Sequence, residues 1–90
     1  MNIYVGTLSY NTTEKDLRGA FESFGTVTSI TLSRDGFNRL SEGYGFVEMP
    51  SAAEAQTAMT NLDGEELNGQ TMTVHTASPG HEGEPYFEYL

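Results

Sequence analysis

Residues 42–49 read Glu42-Gly43-Tyr44-Gly45-Phe46-Val47-Glu48-Met49. Successive side chains of a strand point to opposite faces, so Tyr44, Phe46 and Glu48 share one face and Gly45, Val47 and Met49 the other. A strand with a core on one side places Val47 and Met49 in that core. It leaves Tyr44 and Phe46 side by side and exposed. Two neighbouring exposed rings are unusual unless something lies flat on them. Gly43 and Gly45 are expected to keep the surface around the rings clear.

The flanking sequence supplies the partners of this strand. Asn2 to Gly6 alternates in the same way, with Ile3 and Val5 on one side and Tyr4 on the other. Ser9 to Thr12 reads as a loop. Thr13 and Asp16 make a capping-box-like helix start, with Glu14 at the positive end. Leu17, Ala20, Phe21 and Phe24 then fall on one helical stripe, and Gly25 is expected to end the helix as a left-handed cap. Gly19 inside the helix costs up to about 1 kcal/mol. Val27 to Ser33 is the second strand, with Ile30 and Leu32 inward and Ser29, Thr31 and Ser33 outward.

Arg34 to Ser41 is a loop with turn chemistry at Asp35-Gly36. It carries Phe37 and Leu40, read as folding back on the sheet edge, and the cations Arg34 and Arg39. After residues 42–49, Pro50 and Ser51 open a second helix, with Ser51 and Glu54 as its capping box. Ala55, Ala58, Met59 and Leu62 form its apolar stripe, and Gly64 closes it. Leu67 leads into an Asn68-Gly69 turn. Thr71 to Ala77 is the last strand, with Met72 and Val74 inward and Thr73 and His75 outward.

Strand, helix, strand, strand, helix, strand is the order of an α+β ferredoxin-like sandwich. Its four-stranded antiparallel sheet carries two helices on one face, expected near 13–24 and 51–62. The first and third strands are central and adjacent, which brings Tyr4 beside Tyr44 and Phe46 on the face away from the helices. The expected core is Ile3, Val5, Leu17, Phe21, Phe24, Ile30, Leu32, Val47, Met59, Leu62, Met72 and Val74. One domain occupies residues 1–78. Residues 79–90 are an acidic, aromatic tail: a Gly/Pro/Glu-rich linker followed by Tyr86-Phe87-Glu88-Tyr89-Leu90. Tyr86, Phe87 and Tyr89 are candidates to dock on the aromatic face.

The octapeptide resembles the longer signature of the RNA recognition motif family, Lys/Arg-Gly-Phe/Tyr-Gly/Ala-Phe-Val-x-Phe/Tyr. Gly43, Tyr44, Gly45, Phe46 and Val47 match. Glu42 stands where the pattern has a cation, and Met49 where it has an aromatic. Ile3-Tyr4-Val5-Gly6-Thr7-Leu8 resembles the family's shorter motif, with Thr7 in place of Asn. The resemblance covers about residues 1–78. It implies single-stranded RNA as partner, stacked on Tyr4, Tyr44 and Phe46. Arg34, Arg39, Asn2 and His75 are read from their own positions as further contacts beside the rings. The resemblance also implies cations at the positions of Glu42 and Gln70 and after the last strand, which this chain lacks.

The composition opposes that partner. Thirteen acidic and four basic residues give a formal net charge of −9. Such a chain repels polyanions, including nucleic acid and anionic membrane. Weak RNA binding is therefore expected, with single-stranded DNA as a related ligand. The alternative is a protein-interaction module, natural or engineered, that uses the same face or the tail. Without Cys there is no disulfide or thiolate metal site. His75 and His81 are too scattered for a metal site, and the acidic residues lack the spacing of a calcium loop. No nucleophile–base pair suggests an enzyme. Acylphosphatases share the topology, but Gly6-Thr7-Leu8-Ser9-Tyr10 lacks their phosphate-binding Arg. A cytoplasmic monomer with no cofactor, metal or membrane partner is the expectation.

Overall fold

The structure, a computed structural model, describes residues 1–34 and 41–77, with only the backbone at Arg34, Ser41 and Glu42. In chain order the elements are β1 (Asn2–Gly6), α1 (Glu14–Glu22), β2 (Ser29–Arg34), β3 (Ser41–Glu48), α2 (Ala52–Leu62), β4 (Glu66–Leu67), β5 (Gln70–Thr71) and β6 (Thr73–Thr76). Four strands form one antiparallel sheet in the order β2-β3-β1-β6, and β4 and β5 form a separate hairpin. Tyr4 lies opposite Phe46 on one side and His75 on the other, while Val47 lies opposite Ile3 and Ile30. The two helices cover one face, as the alternation predicts.

Between sheet and helices sits one apolar core. Ile3, Val5, Leu32, Val47, Met72 and Val74 meet Leu17 and Phe21 of α1 and Ala55, Ala58, Met59 and Leu62 of α2. Fully burying a side chain such as Leu or Phe contributes roughly 1.5–3 kcal/mol. Leu8, Val27 and Met49 also belong to this core. Phe24 and Ile30, expected inside, are only partly buried and pack against its margin.

The N-termini of both helices are capped, but differently. At α1 the Asp16 N–H donates to Thr13 Oγ1 (3.2 Å), and the Thr13 N–H donates to Asp16 Oδ2 (3.1 Å), a closed capping box. At α2 the Glu54 N–H donates to Ser51 Oγ (3.2 Å), but the Glu54 carboxylate crosses to the Thr26 N–H (3.0 Å). This corrects the reading of Gly25. Helix α1 ends at a right-handed Ser23, and a side chain at Gly25 would collide with that of Glu54. Gly25 is small to admit the crossing carboxylate, not to turn the chain left.

The last expected strand, Thr71 to Ala77, divides at Met72. The Met72 N–H donates to the Glu65 carbonyl (2.8 Å), and the Met72 carbonyl accepts from Gly64 (2.9 Å). The chain pairs with β4 before this point and with β1 after it. Side-chain alternation runs on unbroken through the change of partner, so periodicity could not reveal it. The exposed edge of β6 is covered in part by Asp63, whose carboxylate accepts from the Val74 N–H at 2.9 Å.

Asn68 and Gly69 both have positive φ, 52° and 86°, the conformation that a tight hairpin requires. Asn68 also ties this hairpin to the start of α1. Its amide donates to the buried hydroxyl of Thr12 (3.2 Å) and to Asp16 Oδ2 (3.1 Å). The Thr13 backbone N–H and then the Asn68 amide hold the Asp16 carboxyl below its ordinary pKa. A lowered carboxylate pKa adds stability above the ordinary value, and this is lost as pH falls through the folded value. Asn68→Ala is expected to destabilise the domain by about 1–3 kcal/mol, since it leaves the Thr12 hydroxyl without this donor and puts Ala at positive φ. Asn68→Gly should recover only the backbone part. Denaturant unfolding of both variants checks this. NMR titration should show the Asp16 pKa rising in each, and the stability gap from the parent should narrow in acid. An unmoved Asp16 pKa would contradict the link.

Candidate nucleic-acid interface

The face of the sheet away from the helices carries the rings. Strands β1 and β3 are the central pair, and the Tyr4–Phe46 register sets their aromatic residues together. The Tyr4 and Tyr44 ring planes are inclined by only 27°, with centroids 6.4 Å apart. Phe46 stands edge-on to both, at 5.7 Å from Tyr4 and 6.2 Å from Tyr44. Each such aromatic pair contributes about 0.5–1.5 kcal/mol beyond its buried area. His75 of β6 extends the row, 4.8 Å from Tyr4 and inclined by 32°.

His75 thus stands on the outward face beside the rings, where its alternation in the last strand puts it. Its ring lies against Tyr4, and its Nδ1–H can donate to the Thr76 carbonyl at 3.1 Å. Phe46 departs from expectation: it is only 7% exposed. It lies outside the helix-side core, and the rings of Tyr4 and Tyr44 close around it. A residue on a central strand has neighbours on both sides, which a single strand's alternation does not register.

The glycines do more specific work than clearing space. The Tyr4 ring lies over the backbone of Gly6, where an added Cβ would come within 2.5 Å of the Tyr4 hydroxyl and 2.8 Å of its ring. Gly43 has φ +96°, beside the irregularity in the β2–β3 pairing between Leu32 and Arg34. A Cβ at Gly45 would meet the Thr31 carbonyl oxygen at 2.6 Å, so this glycine allows β2 and β3 to pair closely.

On the β2 side of Phe46 the surface dips into a hollow of about 290 Å³, lined by Asn2, Ser29, Thr31, Ser33, Tyr44, Phe46 and Glu48. Asn2 thus stands on the expected face. Glu48 projects from the same face, and its Oε2 accepts from the Met1 α-amino group at 2.9 Å. That ammonium also donates to the Met49 carbonyl (2.7 Å). The charge that Glu48 brings to the platform is thereby partly paired.

Arg39, Phe37, Leu40, the Asp35-Gly36 turn and the tail with Tyr86, Phe87 and Tyr89 lie outside the described residues, as do the side chains of Arg34 and Glu42. On α1, Arg18 donates to Glu22 (3.2 Å) and to the Val27 carbonyl (3.1 Å), so it serves the fold. Sequence reading passed over Tyr10. It is 65% exposed in the turn that the Thr12 N–H and Ser9 carbonyl close. Its only signal was a large aromatic in a polar loop. Among the described residues, no cluster of His and acidic side chains is arranged to hold a metal ion.

Comparison with known proteins places this geometry. Residues 3–73 match the RNA recognition motif family. The chain belongs to that family. The protein RbpE of Nostoc sp. is 43% identical over 82 residues, which span 91% of this chain and 83% of the relative. The crystal structure of RNA-binding protein PG1 superposes with a TM-score of 0.81 at 40% identity, covering 86% of this chain and 93% of that one. The Sex-lethal protein/RNA complex gives a TM-score of 0.82 at 29% identity, covering 88% of this chain and 47% of that one.

The position of the Tyr4 ring over Gly6 can be tested without a ligand. Gly6→Ala is expected to displace the ring, because the outer ring atoms and hydroxyl of Tyr4 must swing away from the added methyl group. Side-chain NMR spectra should show changed ring-current shifts at His75 and Tyr44. Unaltered shifts would mean that Tyr4 does not lie across Gly6.

Proposed function

We propose that this chain binds single-stranded RNA by stacking bases on Tyr4, Tyr44 and Phe46, with His75 at the end of the row, and that it binds weakly. The observation that carries the proposal is the assembly of these rings on one sheet face, outside the helix-side core. Membership of the RNA recognition motif family supports it, as do relatives named RNA-binding proteins and a structural neighbour titled as an RNA complex. Stacking on an aromatic is worth about 1–3 kcal/mol per base and tolerates any base.

Weakness follows from charge. Phosphate pairing needs cations near the face, and the chain has four basic residues in all. Lys15 and Arg18 ride on α1, across the sheet from the rings. That leaves Arg34 and Arg39 to meet phosphate. The net charge of −9 favours a second reading, in which the same aromatic face receives a protein segment. The two readings differ in what they predict for RNA.

NMR titration with a short uridine-rich single strand at low salt is the test. Amide shifts are expected to concentrate at Tyr4, Tyr44, Phe46 and His75, with a micromolar or weaker Kd. Tyr4→Ala and Tyr44→Ala should each weaken binding by about 1–3 kcal/mol while the remaining amide spectrum stays folded. Absence of shifts at millimolar RNA would reject RNA binding in favour of the protein-interaction reading.

A further inference from the structure

We infer that the hollow beside Phe46 is a subsite for guanine, and that Glu48 reads the base. This rests on the RNA-binding reading above and adds base preference to a surface that stacking alone leaves indifferent. The sheet register lays out the hollow. Phe46 of β3 lies opposite Thr31 of β2, and Glu48 of β3 lies opposite Ser29 of β2 and Asn2 of β1. All five line the same depression. A base placed against Phe46 and over Thr31 therefore has Glu48, Ser29 and Asn2 along one edge.

The chemistry of that edge selects the base. An ionised carboxylate only accepts hydrogen bonds, with two oxygens and about four lone-pair sites. The Met1 ammonium occupies one site on Oε2. The side chain of Glu48 is 34% exposed, so the remaining sites are within reach of a ligand. The flanking Ser29 and Thr31 hydroxyls can donate or accept, and so adapt to the base beside them. Glu48 therefore demands donors.

Guanine alone among the four bases sets two donors, N1–H and the N2 amino group, side by side on its Watson–Crick edge. Both can meet one carboxylate. Uracil has a single N3–H between two carbonyl oxygens, which would face the carboxylate with like partial charge. Adenine and cytosine each offer one amino group beside an acceptor nitrogen. Single-stranded bases are read on these edges by proteins that splay them out. The chemistry also accounts for an acidic residue on a surface that meets a polyanion: Glu48 faces the base edge, not the phosphate.

The test uses the full chain and the single strands UUUUU, UUGUU, UUAUU, UUCUU and UUIUU, where I is inosine, which lacks the N2 amino group. UUGUU is expected to bind about tenfold tighter than UUUUU, in the range of a bidentate base contact. UUIUU should lose most of that gain. Glu48→Gln should reduce the UUGUU/UUUUU ratio to within about twofold. A variant that weakens both strands equally and keeps the ratio would overturn the role of Glu48. Equal affinities for all five strands, or a preference for adenine or cytosine, would overturn guanine selection while leaving RNA binding standing. No binding of any strand would remove both.

Discussion

The antiparallel pairing of β1 with β3, in the register that sets Tyr4 opposite Phe46, is the constraint on which the rest depends. It is fixed from the other face. Ile3 and Val5 must enter the core with Val47, and a slip of one residue would expose them and bury the tyrosines. The apolar face thus determines the position of the aromatic face without touching it. Both motifs lie on the two central strands, where neither backbone edge is open to solvent. The rings consequently rest on the most constrained part of the sheet.

Position on the central strands also shapes the rings' chemistry. Tyr4 is supported from below by the Gly6 backbone and laterally by His75 and Phe46. Phe46 is covered by both tyrosines, so part of its apolar surface is already satisfied in the absence of a ligand. A platform held this way loses little side-chain freedom when a base arrives. With so few cations in the chain, that economy of ordering favours the proposed binding by stacking.

Much of this was legible in the sequence because it rests on local rules. Two-residue alternation located β1 and β3 and assigned their faces. The Thr13–Asp16 spacing gave the start of α1, and Asn68-Gly69 gave the hairpin turn. What escaped depends on contacts distant in the chain. The partner change at Met72, Glu54 reaching over Gly25 and the bond from Asn68 to Thr12 join residues that no periodicity relates. The hollow is of the same kind. Ser29, Thr31 and Ser33 read simply as outward residues of a strand, and only the sheet order sets them beside Phe46 and Glu48.

The central claim is that stacking, not charge, holds the ligand. The dependence of affinity on salt measures this directly, because each phosphate neutralised on a single strand adds about −0.7 to the slope of log K against log salt concentration. With one or two phosphates neutralised, the part proposed for Arg34 and Arg39, the account predicts a slope between about −0.7 and −1.4. A slope steeper than about −3 would mean that many phosphates are paired, and would contradict it.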